Sequence, residues 1–198
     1  PGDWEKGERG MCCHPNRQVE FRESVEIALE YAIGLGCQQM HVMAGIKPEG
    51  VPMDALSETY VENLRFAAEL CEQKNIRLLI EAINSRDMPG YFLSKSAQAI
   101  SVIEKVGSSN LSFQYDIYHM QIMEGDLSST ITELLSRIAH FQIADNPGRH
   151  EPGTGEINYP FIFSKLDELG YKGWIGCEYR PIAGTVEGLN WASNWLNK

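Results

Sequence analysis

Short apolar runs alternate with longer amphipathic segments along most of this 198-residue chain. Each apolar run has the length of a strand, and each longer segment repeats its apolar residues at helical spacing. The runs are residues 40–44, 76–83, 111–117, 138–144 and 173–179. The longer segments are residues 18–36, 56–72, 96–106, 127–136, 161–169 and 186–196. The pattern therefore predicts five strands that alternate with six helices.

Strands that alternate with helices in this way are parallel, because right-handed crossovers join them. Such a sheet either closes as a barrel or stays open as a doubly wound sheet. The chain contains no G-x-G-x-x-G and no G-x-x-x-x-G-K-[ST] phosphate loop, and polar residues end four successive strands, which favours the barrel. We therefore expect an α/β fold, a (β/α)8 TIM barrel that forms one domain over residues 1–198. About five of its eight strands are present, and the chain looks incomplete at its N-terminus.

Four of the predicted strands end in a polar side chain that can ligate a metal: Glu81, Asp116, Gln142 and Glu178. In a parallel barrel these positions converge at the carboxyl-end mouth, where such barrels do their chemistry. Three carboxylates so close together would repel one another, and a divalent cation removes that cost. Oxygen ligands of this kind suit Mg²⁺ or Mn²⁺, and also Ca²⁺. Protonated carboxyls, or Lys and Arg partners, are the alternative.

Two histidines lie near these positions. His119 follows Asp116 in a D-x-x-H step, where its imidazole could hydrogen-bond a substrate oxygen or support a ligand from behind. His41 lies on the first predicted strand and either faces the pocket or sits in the core. Both are therefore candidate substrate-binding residues.

The long loop 145–159 follows a strand that carries a candidate ligand, and loops at that face of a barrel make substrate contacts. Its Arg149 has a planar fork that can hold both oxygens of a substrate carboxylate. The alternative is an ion pair with Glu151 or Asp145 that only holds the loop. We prefer the substrate-binding role.

Composition narrows the class of protein. A net charge of −10 with scattered basic residues argues against nucleic-acid binding. No apolar run approaches the roughly 18 residues that span a bilayer, and five cysteines without a C-x-x-C pair suggest reduced thiols. We expect a cytoplasmic protein that acts on a small molecule, without nucleic-acid or membrane partners. Trp174 is expected to pack in the core or between a helix and the barrel, and unpaired sheet edges are compatible with a homo-oligomer.

Five stretches of the chain resemble the hydroxypyruvate isomerases, a group within the xylose-isomerase-like family of TIM barrels. The resemblance runs from the first residue almost to the C-terminus. The stretches are P-G-D-W-E-K-G-E-R-G at 1–10, L-L-I-E-A-I-N at 78–84, Q-Y-D-I-Y-H-M-Q at 114–121, Q-I-A-D-N-P-G-R-H-E-P-G-T-G-E-I-N-Y at 142–159 and G-W-I-G-C-E-Y at 173–179.

The resemblance implies that Glu81 and Glu178 are the catalytic, proton-transferring pair. It also implies that these two residues bind a divalent metal together with Asp116 and Gln142. Many relatives in the wider superfamily carry His where this chain has Gln142, so the metal is expected to be held more weakly or chosen differently.

The implied activity is an intramolecular aldose-ketose isomerisation of a small hydroxy or oxo acid, hydroxypyruvate to tartronate semialdehyde. One glutamate removes a proton next to the carbonyl, the metal stabilises the enediolate, and the other glutamate returns a proton to the neighbouring carbon. Three alternatives remain: 2-oxo-tetronate isomerase, metal-dependent epimerisation of a ketose, and a barrel that has lost its chemistry and serves only as an interaction protein.

Overall fold

The structure is a computed structural model that describes residues 2–196. The chain divides into two compact units, one up to Gln114 and one from Tyr115 onward. Within each unit, neighbouring strands pair in parallel, and a helix lies in the connection between successive strands. The predicted alternation of parallel strands and helices is therefore confirmed.

In the part of the chain that the structure describes, the first unit contains a short 3-10 helix (Pro15–Arg17), three α-helices and most of three strands. The α-helices and strands are α1 (Gln18–Gly34), β1 (Gln39–His41), α2 (Met53–Glu72), β2 (Arg77–Glu81), α3 (Ser96–Val106) and the first four residues of β3 (Leu111–Asp116). β2 pairs with β1 on one side and β3 on the other, with Met40 opposite Leu78 and Ile80 opposite Phe113. All six residues of β3 are buried, as expected for a strand inside a parallel sheet.

The second unit begins with the last two residues of β3. Its other strands and α-helices are α4 (Ile117–Met123), α5 (Leu127–Leu134), β4 (Ile138–Ile143), α6 (Tyr159–Glu168), β5 (Trp174–Cys177) and α7 (Ser193–Leu196). β4 and β5 pair with Gln142 opposite Gly176. Phe141 anchors the core beneath them, with edge-on ring contacts to Tyr115 and to Tyr171.

The helices bury one face and expose the other. In α2, Tyr60, Leu64 and Ala67 are fully buried, whereas Glu58 and Glu69 face solvent. This is the pattern of a helix that packs on a sheet. No helix within residues 2–196 combines the length and the apolar character needed to cross a membrane.

Two expectations about particular segments were wrong. Helix α4 was not predicted, because the apolar pattern extends the preceding strand to Ile117. The last segment, expected as one helix from 186 to 196, is a 3-10 helix (Glu187–Ala192) followed by α7. Trp174, expected to pack in the core or between a helix and the barrel, is instead 76% exposed at the start of β5.

Candidate functional site

In the first unit, Glu81 is the last residue of β2 and is only 5% exposed. His41 ends the neighbouring strand β1, and its Nε2 lies 3.7 Å from Oε2 of Glu81. The structure thus places His41 beside a candidate ligand, while its role as a substrate-binding residue stays a prediction. Two of the residues singled out in the sequence thus meet at the carboxyl ends of adjacent strands.

A buried tyrosine, Tyr91, lies near Glu81. The hydroxyl of Tyr91 accepts a hydrogen bond of 2.8 Å from the backbone N–H of Ala44. Burial raises the pKa of Tyr91 far above the usual tyrosine range, and the negative charge of Glu81 raises it further. Tyr91 is therefore a neutral, protonated neighbour of Glu81 at every pH of interest.

In the second unit, Asp116 both ends β3 and begins α4. Its Oδ1 accepts hydrogen bonds from the backbone N–H of Tyr118, at 2.8 Å, and of His119, at 3.3 Å. This is an N-cap, in which a side-chain oxygen satisfies N–H groups that the first turn of a helix leaves without partners. The cap explains why the chain turns into a helix at this point.

The same turn brings His119 back toward Asp116. The imidazole Nε2 lies 3.5 Å from Oδ2 of Asp116, and both side chains are almost completely buried. The D-x-x-H spacing thus places a carboxylate oxygen and a ring nitrogen side by side. The sequence singled out His119 but gave no sign of the capped turn that orients it.

Arg149 and Glu178 form an ion pair at the edge of this group. Nη2 of Arg149 donates a hydrogen bond of 2.8 Å to Oε2 of Glu178 and lies 3.8 Å from Oδ2 of Asp116. Its guanidinium carbon is 5.3 Å from the centre of the Tyr118 ring. The alternative that Arg149 pairs with acidic residues of its own loop is therefore wrong. It contacts two candidate ligands instead.

Glu178 directly follows β5, and its backbone N–H donates to the carbonyl of Ile143 at the end of β4. Its side chain is 52% exposed. Partial burial raises the pKa of Glu178 above the usual glutamate value, Arg149 opposes this shift, and the charge of Asp116 adds to it. The carboxylate thus holds its charge less readily than an isolated glutamate, which suits a group that accepts and returns protons.

Gln142 lies on β4 opposite Gly176 of β5. A Cβ at position 176 would be 3.5 Å from Cγ of Gln142 and 3.0 Å from Nε2 of His140. Glycine therefore leaves room for these two side chains, which share a face of the strand. Burial lowers the pKa of His140, so that this imidazole is neutral at pH 7.

Buried atoms that could ligate a metal are offered by Glu81 in the first unit and by Asp116 and His119 in the second. His119 was not counted as a ligand from the sequence, although its D-x-x-H spacing was noticed. Carboxylate oxygens suit Mg²⁺ and Mn²⁺, and an imidazole favours the transition metal of the two. The donor types therefore fit a divalent cation.

Comparison with known proteins decides the family. A family model described as xylose isomerase-like TIM barrel matches residues 5–195. The chain belongs to this family. The predicted resemblance and the barrel fold class are thereby confirmed. That the whole chain forms one domain stays a prediction, as do the cytoplasmic location, the oligomeric state and the lack of nucleic-acid and membrane partners.

Two curated relatives in this family cover nearly all of the chain. A 2-oxo-tetronate isomerase from Cupriavidus necator is 48% identical over 198 residues, which are 100% of this chain and 76% of that protein. A hydroxypyruvate isomerase from Escherichia coli K12 is 49% identical over 190 residues, which are 96% of this chain and 74% of that protein.

Solved structures support the same fold. A Brucella melitensis protein described as AP endonuclease, family 2, is 46% identical, with a TM-score of 0.96 over 98% of this chain and 75% of its own. A 3-keto-D-glucoside 4-epimerase from E. coli, at 21% identity, has a TM-score of 0.76 over 89% of this chain and 70% of its own. The second likeness concerns the fold alone.

Proposed function

We propose that this protein is an isomerase that interconverts hydroxypyruvate and tartronate semialdehyde. Curated relatives named hydroxypyruvate isomerase and 2-oxo-tetronate isomerase support an isomerase of this kind. The observation that carries the proposal is the presence of Glu81 and Glu178 at the carboxyl ends of β2 and β5, the positions where TIM barrels hold their catalytic side chains.

The proposed chemistry needs two carboxylates. Starting from hydroxypyruvate, one glutamate takes a proton from the hydroxymethyl carbon, and the electron pair moves into an enediolate. The other glutamate gives a proton to the neighbouring carbon, and a proton passes between the two substrate oxygens. No oxidant or reductant is consumed. Proton transfer by positioned side chains of this type contributes about 10²–10⁴-fold to rate.

We further propose that Glu81, Asp116, Gln142 and Glu178 hold a divalent metal, with Mg²⁺ or Mn²⁺ the expected ion. Glu81 is opposite Gln114 in the β2–β3 register, and Asp116 lies two residues beyond Gln114 on β3. Such a cation would stabilise the negative charge that develops on the substrate oxygens. Glu81 and Asp116 are both buried, and their carboxylate oxygens are donors of the right chemistry.

The substrate carboxylate is assigned to Arg149. Its guanidinium already binds one carboxylate, that of Glu178, and its planar fork can hold two oxygens at once. His119 and His41 are assigned to the other substrate oxygens, because each imidazole lies beside a candidate ligand. These three residues would orient the acid so that its reacting carbons face the glutamates.

The second candidate is 2-oxo-tetronate isomerase, the name of the Cupriavidus necator relative. The same side chains would act on a substrate one carbon longer. A barrel that serves only as an interaction protein is less well supported, because the chain retains both glutamates. The net charge of −10 argues against action on nucleic acid.

The test is turnover of hydroxypyruvate against 2-oxo-tetronate, with EDTA and with Mg²⁺ or Mn²⁺ restored. A preference for hydroxypyruvate that chelation abolishes and metal restores is the expected result. A preference for the longer acid would replace the proposed substrate with the second candidate. Activity that chelation does not change would remove the metal from the mechanism, and turnover of neither acid would overturn the proposal.

A further inference from the structure

Asp145, the second residue after β4, is fully buried in the loop that carries Arg149. Its carboxylate accepts three hydrogen bonds from backbone N–H groups. Oδ1 accepts from Asn146 at 2.9 Å and from Ile157 at 3.1 Å, and Oδ2 accepts from Gly153 at 2.8 Å. One side chain thus joins both ends of the loop 145–157.

The backbone of Asp145 fixes the part of the loop next to Arg149. Its N–H donates to the carbonyl of His150 at 2.7 Å, and its carbonyl accepts from the N–H of Arg149 at 3.0 Å. Arg149 itself has a φ of +58°, in the left-handed region that is unfavourable for a non-glycine residue. The surrounding hydrogen bonds must hold Arg149 in this conformation.

A second set of contacts joins the loop to the segment after β5. The N–H of Arg180 donates to the carbonyl of Arg149, and the carbonyl of Arg180 contacts Nδ1 of His150, both at 2.7 Å. Arg180 is two residues beyond Glu178. The backbone that carries the guanidinium and the backbone that carries its carboxylate partner are therefore tied together.

Glycine is required where the loop passes over the buried carboxylate. A Cβ at Gly155 would clash with the carbonyl oxygen of Asn146 and would lie 2.7 Å from Oδ1 of Asp145. A shift of Oδ1 would break its hydrogen bonds from Asn146 and Ile157, and a shift of the Asn146 carbonyl would break its hydrogen bond from the N–H of Glu156. Substitution of Gly155 therefore disturbs the same anchor without touching the charge.

From these contacts we infer that Asp145 is the positioning residue that sets the guanidinium of Arg149 against Glu178 and Asp116. The inference rests on the proposed function only for the role of Arg149 toward substrate. Asp145 acts through the loop backbone and does not touch the reacting atoms. An asparagine would keep one acceptor oxygen but would turn an N–H donor toward the N–H of Gly153.

The kinetic test compares Asp145→Asn, Arg149→Met and the double variant for hydroxypyruvate turnover. Because a displacement of about 1 Å can cost 10²-fold, we expect Asp145→Asn to lose about 10–100-fold in kcat/KM. The loss should disappear in the Arg149→Met background, since residues that act through one another are not additive. Equal losses in both backgrounds would overturn the inference.

A second variant and a control separate positioning from loss of folding. Gly155→Ala should reproduce the phenotype of Asp145→Asn, including its dependence on Arg149. Thr154→Ala removes a hydrogen bond of 2.7 Å to the carbonyl of Glu151 in the same loop and should leave kcat/KM within about twofold. Equal damage from the control would show that any loosening of the loop suffices, against a specific role for Asp145.

A third measurement does not depend on activity. The coupling between Arg149 and Glu178 can be measured in urea unfolding with Arg149→Met, Glu178→Gln and the double variant. We expect a favourable coupling that vanishes when Asp145→Asn is present in all four proteins. A coupling that persists would overturn the inference. If neither acid is turned over, the proposed function fails while this measurement still decides the role of Asp145.

Discussion

The guanidinium of Arg149 donates a hydrogen bond of 2.8 Å to the carboxylate of Glu178, although 29 residues separate them in the chain. This pair joins the loop after β4 to the end of β5. It also places a positive charge within 3.8 Å of the buried carboxylate of Asp116. The positive charge of Arg149 therefore offsets part of the negative charge of Glu178 and Asp116.

Glu178→Gln should lower kcat by about 10²–10⁴-fold, because the amide cannot accept or return a proton. The fold should be preserved, since the side chain is half exposed and the replacement has the same shape. Steady-state kinetics and thermal unfolding check the two parts. Glu168→Gln, on the exposed face of α6, is the matched control and should behave as the unchanged protein.

Glu81→Gln should likewise abolish isomerisation. The residue is buried at the end of β2, so the isosteric amide is the least disruptive change available there. Exchange of the substrate's carbon-bound hydrogen with D₂O, followed by NMR, reports proton abstraction directly. Glu69→Gln on the exposed face of α2 serves as the control. Substantial exchange by the Glu81 variant would exclude this residue from the mechanism.

Two substitutions of Asp116 should separate its effect on metal binding from its effect on the stability of the fold. Asp116→Asn and Asp116→Ala both remove the ligand charge, so calorimetry should show weaker Mn²⁺ binding by either variant. Only the alanine also removes the N-cap of α4, which is worth about 1 kcal/mol of unfolding free energy. Unchanged Mn²⁺ affinity would exclude Asp116 as a ligand. Equal free energies of unfolding for the two variants would show that the N-cap does not stabilise the protein.

The pH dependence of stability should change when Arg17 is removed. Arg17 donates two hydrogen bonds to Glu8, at 2.8 and 3.1 Å, and thereby lowers the pKa of this carboxyl. A lowered pKa in the folded state gives stability that is present above the unfolded value, about 4.3, and is lost as pH falls through the folded value. Arg17→Met should therefore lower Tm at pH 7. It should not lower Tm at a pH acidic enough to protonate Glu8 in the folded protein.

The control for this experiment is Lys74→Met, a change at an exposed residue between α2 and β2. Its difference in Tm from the unchanged protein should be small and the same at every pH. If the Tm deficit of Arg17→Met persisted after the carboxyls were protonated, packing of the arginine stem would be its source rather than the ion pair.

Much of the architecture follows from the sequence alone. The alternation of apolar runs and amphipathic segments predicted every strand and the correct span of α3, because strand and helix periods depend on residues only two to four positions apart. The same reasoning singled out Glu81 and Asp116, because parallel strands present their carboxyl ends at one edge. The family resemblance rested on long, specific stretches and was confirmed.

Only the tertiary structure decided which side chains meet. The partner of Arg149 depends on β5 lying beside β4, which no local pattern encodes. Asp116 was visible as a strand end, but its role as a helix cap depends on Oδ1 pointing at the backbone N–H groups of the following turn. Asp145 reads in the sequence as one more polar loop residue. Its burial and its three hydrogen bonds from backbone N–H groups are visible only in the folded loop, because they depend on how the loop backbone is folded.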